Sequence, residues 1–188
     1  MTTLVLFLEE RSAQVFLDGL LPRILPEGVT YRAIVFEGKQ DLEKQIERRL
    51  RGWCLPNSTF LVLRDQDASD CAVVKKSLTN KATKAGQPRT VIRIACQELE
   101  SWYFGDLEAV EEAIGITNLS RYSNSAKYRV PDAIVNPASE LLKITGKRYQ
   151  KISHSRELGK ILDLENNSSH SFNVFVGGLM KAIAQIHP

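Results

Sequence analysis

Short apolar runs alternate with amphipathic segments along the first half of the chain. Four of the runs are rich in β-branched or aromatic residues and short enough for buried strands. These predicted strands are Thr3–Leu8, Val29–Phe36, Thr59–Leu63 and Thr90–Ala95. Between them lie a predicted helix capped by Ser12, a second over Asp41–Leu50 and a third over Cys71–Leu78. This strand–helix alternation predicts an α/β fold with a mainly parallel four-stranded sheet flanked by helices.

The pattern becomes helical beyond Cys96, with no further strand signal. The predicted helices are Gln97–Phe104, Leu107–Ile114, Pro131–Ile144, Ser155–Leu164 and Phe172–Ile186. A polar, Ser/Asn-rich stretch over Thr117–Arg129 is typical of a loop or mobile insertion. We therefore expect an α/β core over residues 1–115 and a helical C-terminal extension over residues 116–188, packed on the core.

Charge along the chain is clustered, although the net charge of +3 is too small to indicate a nucleic-acid partner by itself. Residues 75–93 contain six basic side chains and no acid, and residues 143–160 contain six basic side chains and one acid. Each basic block is either a phosphate-binding surface or an ordinary solvated helix face. The apolar fraction of 43% is that of a globular protein with a real core.

The three cysteines form no Cys-x-x-Cys pair, which argues against structural zinc and favours a reducing, cytoplasmic location. The first apolar run stops at Glu9, and no apolar stretch approaches the roughly 20 residues of a membrane span. We therefore expect neither a signal peptide nor a membrane contact. His154, His170 and His187 lack metal-ligand spacing, and neither a Walker loop nor a Gly-x-Gly-x-x-Gly motif is present.

Carboxylates follow two of the predicted strands at the point where each ends. Glu9 follows the first strand, and Asp65 and Asp67 follow the third. In open α/β sheets, ligands bind beyond the carboxyl ends of the strands. Clustered carboxylates repel one another unless a cation neutralises them, and hard oxygen ligands suit Mg²⁺ or Mn²⁺. This pattern predicts a metal site; the alternatives are a solvated turn for the aspartates and a helix-dipole contact for Glu9.

Two further candidates lie later in the chain. Glu98 or Glu100, after the fourth strand, could complete the acidic cluster, or both could be solvated acids of a helix that buries Leu99. Lys151 could contact a phosphate or the charge that develops on a transferred phosphoryl group. The alternative for Lys151 is a solvated basic turn.

These features resemble the Toprim domain of topoisomerases, primases and nucleases of the overcoming-lysogenisation-defect (OLD) type. More closely, the chain resembles a bacterial family of Toprim-like proteins that are often encoded beside ATPases. The resemblance rests on Leu8–Ser12, Leu63–Asp67, Glu98–Trp102 and, more faintly, Tyr149–Lys151 with Ser171-Phe172. It implies that Glu9 is the general base or a metal ligand, that Asp65 and Asp67 bind Mg²⁺, that Glu98 or Glu100 completes the set, and that Lys151 contacts phosphate.

The resemblance also implies a Mg²⁺- or Mn²⁺-dependent nuclease, with DNA favoured over RNA, a possible partner ATPase, possible oligomers and a role in phage defence. In that family a glycine, a threonine and a second glutamate usually follow the first glutamate, whereas this chain has Glu10, Ser12 and Ala13 at these places. This departure favours a non-catalytic binding or sensor module.

Residues 65–69 also resemble the nucleophile loop of haloacid-dehalogenase-type phosphatases, although that motif normally follows a first strand. A covalent phospho-aspartate would distinguish this third possibility.

Overall fold

A computed structural model describes residues 2–185 of the chain. Its single sheet has four strands in the order β2-β1-β3-β4, and every neighbouring pair is parallel. The strands are β1 (Thr2–Leu8), β2 (Val29–Val35), β3 (Ser58–Asp65) and β4 (Val91–Ala95). The predicted fold class is confirmed, and all four strands end at the same edge of the sheet.

Eight α-helices lie within the described residues. They are α1 (Arg11–Leu20), α2 (Lys39–Arg51), α3 (Cys71–Lys84), α4 (Glu100–Phe104), α5 (Leu107–Ile114), α6 (Pro137–Ile144), α7 (Lys151–Ile161) and α8 (His170–Ala184). Short 3-10 turns cover Leu21–Arg23, Ser120–Tyr122 and Pro131–Ala133. None of these helices is long and apolar enough to cross a bilayer.

The sheet is buried on both faces, which explains why its strands are nearly continuous apolar runs. Side chains alternate along β1, so that Leu6 and Leu8 belong to one core cluster and Val5 and Phe7 to another. The Val5 cluster includes apolar side chains of α2 and α3, and the Leu6 cluster includes those of α1, α4, α5, α7 and α8. The C-terminal helices thus complete a core that begins with β1. The proposed division after residue 115 stays a prediction.

The N-terminal ends of several helices differ from their predicted positions. Ser12 is not the cap of α1: the helix begins at Arg11, Glu10 occupies the N-cap position, and the Ser12 hydroxyl is hydrogen bonded to the Glu10 carboxylate. The helix predicted from Gln97 begins at Glu100, since Gln97 has a left-handed φ of 60°. The single helix predicted over residues 131–144 is interrupted by Asn136, whose φ is 53°, and α6 starts at the following proline.

Three other helices also have different bounds. Helix α3 continues past the predicted Leu78 to Lys84. Helix α7 starts at Lys151 and ends at Ile161, where the Arg23 guanidinium donates to the carbonyls of Gly159 (3.1 Å) and Leu162 (2.9 Å). Helix α8 begins at His170, with Ser169 as its N-cap. The predicted end of this helix at Ile186 and the residue His187 lie outside the described residues.

Helix α7 packs directly on α1 through two glycines. A Cβ atom at Gly159 would lie 2.0 Å from the carbonyl oxygen of Phe16, and one at Gly19 would lie 2.5 Å from that of Arg156. The two helix backbones therefore touch, and any larger residue would separate them. Because α7 begins with Lys151, this contact sets where the amino end of α7 meets the carboxyl edge of the sheet.

Candidate functional site

Glu9, directly after β1, is held by the end of β3 and by a buried arginine. Its Oε2 accepts a hydrogen bond from the Asp65 backbone N–H (3.1 Å) and lies 3.7 Å from Nε of Arg64. The Arg64 side chain is only 3% exposed and also pairs with Glu43 of α2 (2.7 Å). Burial raises the pKa of Glu9, and the nearby Asp67 and Glu10 raise it further against the opposing Asp65 hydrogen bond and Arg64 charge.

Asp65 is the last residue of β3 and alternates with Leu61 and Leu63, so it faces the side of the sheet that α1, α4 and α7 cover. Burial raises the pKa of Asp65 well above its usual range, and the charges of Glu10, Glu100 and Glu9 add to the effect. Lys151 opposes it. Asp65 is thus surrounded by acids, and its ionised form is costly in this environment.

Asp67 lies beyond the end of β3, in a loop that is tied to the loop after β4. Its backbone is left-handed, with φ of 53°, and its N–H donates to the carbonyl of Gln97 (2.8 Å). The Gln66 side-chain oxygen in turn accepts from the Gln97 N–H (3.1 Å). The Asp67 carboxylate reaches α2, where Oδ2 lies 2.8 Å from Nζ of Lys39. Because the extended backbone ends at Asp65 and Asp67 is left-handed, the two side chains do not leave one face of a strand despite their spacing.

Glu100, the first residue of α4, is fully buried beside Lys151, the first residue of α7. Its Oε1 accepts from the Tyr149 hydroxyl (3.0 Å) and lies 3.8 Å from Nζ of Lys151, which also lies 2.8 Å from Oε1 of Glu10. Burial opposes the charged form of Lys151, but Glu100 and Glu10 outweigh it and raise the pKa of the ammonium. For Glu100, burial disfavours the charged carboxylate and so raises its pKa, whereas the charge of Lys151 acts to lower it. Lys151 therefore lies beside these acids in the first turn of α7, and its contact with a phosphate stays a prediction.

Glu98 is directed to a different place. Its Oε2 accepts a hydrogen bond from the backbone N–H of Ala138 (2.9 Å), in the first turn of α6. A carboxylate at a helix N-terminus is favoured by the free N–H groups and by the helix dipole. Of the two glutamates after β4, Glu100 therefore lies beside Asp65 and Lys151, whereas Glu98 stabilises α6.

Comparisons with known proteins give a family and a fold. Residues 8–180 match the family described as "Domain of unknown function (DUF4276)". The chain belongs to the DUF4276 family. A solved structure titled "C-terminal region of the Burkholderia pseudomallei OLD protein" is similar at a TM-score of 0.50 and 16% sequence identity, over 97% of each chain. At that identity the likeness shows the fold alone. No curated protein matches the chain.

The carboxylates of the DUF4276 protein do not form a ready-made ion site. Within residues 2–185, no three His, Cys, Asp or Glu side chains are close enough together to hold a metal ion. Glu9, Asp65 and Asp67 thus share one edge of the sheet without forming such a group, and their common metal role stays a prediction. The physical reason is that cationic side chains take up the carboxylates: Glu9 lies beside Arg64, and Asp67 pairs with Lys39.

The chemistry of the donors nevertheless fits a hard cation. The acids at this edge supply only oxygen, which Mg²⁺ and Mn²⁺ prefer; they are Glu9, Glu10, Asp65, Asp67 and Glu100. In the part of the chain that the structure describes, Oε2 of Glu100 is buried without a hydrogen-bond partner. A buried carboxylate oxygen without a partner is costly, and an ion would satisfy it. The metal roles of Glu9, Asp65, Asp67, Glu98 and Glu100 stay predictions.

Three residues of the candidate site were not predicted as site residues from the sequence. Lys39 follows β2 through Gly38, and the rule that located Glu9 beyond a strand end could also have found it. Arg64 interrupts an apolar run, a signal that a buried charge had to find partners. Tyr149, whose hydroxyl donates to Glu100, lies in a stretch that gave only a faint part of the resemblance and no indication of this contact.

Proposed function

We propose that this DUF4276 protein is a Toprim-type, Mg²⁺- or Mn²⁺-dependent nuclease that acts on nucleic acid, with DNA favoured over RNA. The supporting observation is that Glu9, Asp65 and Asp67 lie along the carboxyl edge of a parallel sheet, near the buried Glu100 and the partly exposed Lys151. The fold likeness to the OLD C-terminal region supports a Toprim origin. A partner ATPase, assembly into oligomers and a cytoplasmic location belong to the same proposal.

Each side chain of the candidate site would have a defined role in this reaction. Glu9, Asp65, Asp67 and Glu100 would supply oxygen ligands after exchanging their present lysine and arginine contacts. A bound divalent ion would supply Lewis-acid chemistry and a lowered pKa for water. Lys151 would then be free to hold a substrate phosphate and to neutralise charge on the leaving oxygen. Glu98 would join this set only by releasing the N–H of Ala138.

The surface of α3 offers a binding face for a nucleic-acid backbone. Lys75, Lys76 and Lys84 are exposed on this helix, which starts a few residues after Asp67. Lysine ammonium groups contact phosphates without reading sequence. The basic block that the sequence showed would therefore guide a phosphodiester chain toward the carboxyl edge of the sheet.

A cleavage assay tests the nuclease proposal. Duplex DNA, single-stranded DNA and RNA would each be incubated with the protein and Mn²⁺, and with EDTA in its place. We expect cleavage that EDTA abolishes, and a fall of roughly 100-fold or more in kcat for Lys151→Met, because charge stabilisation in the transition state is lost. Lys160→Met is the matched control, since Lys160 lies on the same helix and pairs only with Glu157 in the described residues. Equal activity of the two variants would contradict the role of Lys151.

A non-catalytic binding module is the second candidate. It is favoured by Glu10, which occupies the place where the Toprim-like pattern usually has a glycine. Glu10 also forms an ion pair with Lys151. Together with the Lys39–Asp67 pair, this contact neutralises the acids without a metal. Such a module would bind nucleic acid yet cleave none of the three substrates at any Mn²⁺ concentration.

Binding to nucleic acid should be tolerant of sequence and steeply dependent on salt. Phosphate contacts release counterions, so the logarithm of affinity falls with the logarithm of salt by about 0.9 for each phosphate neutralised. Charge reversal at Lys75, Lys76 and Lys84 should therefore flatten that slope by up to about 3, measured by fluorescence anisotropy on labelled DNA. Lys181→Glu, an exposed charge on α8, is the control. If the slope is the same in the triple variant and the wild type, the α3 face is ordinary solvated surface.

A further inference from the structure

Two cysteines that are distant in sequence lie side by side next to the candidate site. The sulfur atoms of Cys71 and Cys96 are 4.0 Å apart, although the residues are separated by 25 positions. Cys71 is the first residue of α3, and Cys96 directly follows β4. Both are free thiols of intermediate exposure. Their sulfurs would have to approach by about 2 Å to reach the S–S bond length.

Small molecules can reach this pair of thiols. A cavity of about 270 Å³ lies between α3, β4 and α8, and both cysteines line it. Its other lining residues include Ile94, Val174, Lys75 and His170. The third cysteine, Cys54, is exposed elsewhere and is not part of the cavity lining. A peroxide or a low-molecular-weight disulfide therefore has an open route to Cys71 and Cys96.

We propose that Cys71 and Cys96 are an oxidative modification site that closes into a reversible intramolecular disulfide. With a hydroperoxide as the oxidant, one thiol is converted to a sulfenic acid and the peroxide is reduced to water or an alcohol. The second thiol then attacks the sulfenic sulfur; the S–S bond forms, the S–O bond breaks and water leaves. Overall the two thiols lose two protons and two electrons, and a dithiol reductant restores them.

The disulfide would bind together the two loops that shape the carboxyl edge of the sheet. Cys96 precedes Gln97, whose carbonyl accepts the N–H of Asp67, and Cys71 ends the loop that carries Asp67. A covalent bond between these loops restricts their separation, and so it restricts movement of Asp67 relative to Gln97. The proposal concerns the thiols themselves and does not depend on the nuclease proposal.

Peptide mapping of the full-length protein tests the site. Wild type and Cys54→Ser would be treated with hydrogen peroxide, alkylated without reduction and digested with trypsin. We expect the loss of two hydrogen atoms from the intact mass and a linked pair of peptides, residues 65–75 joined to residues 94–121, which dithiothreitol separates. Cys71→Ser and Cys96→Ser should each abolish the linked pair. Hydrogen exchange of the amides of Asp67 and Gln97 should slow in the oxidised form.

Other products would overturn the proposal. Oxidation that yields sulfinic acid on single cysteines, or dimers linked through Cys54, would show that the 4.0 Å approach is packing alone. The same conclusion follows if Cys71→Ser and wild type give identical products. If the linked pair forms but amide exchange at Asp67 is unchanged, the inferred restriction of the loops is wrong. Cleavage activity has no part in these outcomes, so they remain decisive whether or not the protein is a nuclease.

Discussion

The substitution Asp65→Asn is expected to abolish the stabilisation of the folded protein by Mn²⁺. An ion that binds only the native state at a hundred times its dissociation constant adds about 2.7 kcal/mol to the free energy of unfolding. Wild-type thermal melts should therefore rise with Mn²⁺, and the melts of the variant should not. Without metal, the variant should melt at the same temperature or higher, because burial and neighbouring acids raise the pKa of Asp65 and make its charge unfavourable in the fold.

The direction in which Asp65→Asn changes the melting temperature without metal distinguishes a metal ligand from an acid that stabilises the fold. An acid whose pKa is raised on folding destabilises the native state as pH rises above its unfolded pKa, so an uncharged isostere relieves that cost. Glu112→Gln is the control, since Glu112 is exposed on α5 and should leave the Mn²⁺ response intact. A variant that melts lower without metal and keeps the Mn²⁺ response would make Asp65 a structural residue and remove it from the proposed site.

Gly159→Ala should destabilise the protein by about 3 kcal/mol or more, which is the upper range for overpacking a close contact. The added Cβ would lie 2.0 Å from the Phe16 carbonyl oxygen, which is backbone and cannot rotate away. Helix α7 must then move off α1, and Lys151 at its first turn moves with it. Urea unfolding monitored by circular dichroism measures the change in the free energy of unfolding. The distance from Lys151 to Glu10 should increase in a crystal structure of the variant.

Gly177→Ala provides a matched control within another helix. No heavy atom lies within 4 Å of a Cβ built at Gly177, so alanine there should be neutral or stabilise α8 by about 0.5–1 kcal/mol through its better helix propensity. The two substitutions change the same group in the same secondary structure. If Gly159→Ala and Gly177→Ala change the free energy of unfolding by similar amounts, the close contact between α1 and α7 does not contribute the expected stability.

The sequence by itself determined the sheet and the edge at which its carboxylates would lie. Buried parallel strands leave a strong signal because both faces are apolar, and the runs at residues 3–8 and 59–63 both correspond to strands. Strand–helix alternation then requires parallel strands, so the residues after β1 and β3 had to share one edge. The register pairs Leu8 with Leu63, which brings Glu9 to the Asp65 N–H.

Only the tertiary structure decided which charges meet at that edge. Lys151 contacts Glu10 across 141 positions, and Lys39 contacts Asp67 across 28, so no local pattern records either pair. Glu98 and Glu100 have the same local chemistry, yet the backbone turn at Gln97 and the placement of α6 direct them to different partners. Local sequence sets helix and strand preferences through short-range sterics and hydrophobic spacing. Ion pairing and burial depend instead on elements that become neighbours only when the chain has folded, and for that reason the cations beside the carboxylates appear only in the three-dimensional structure.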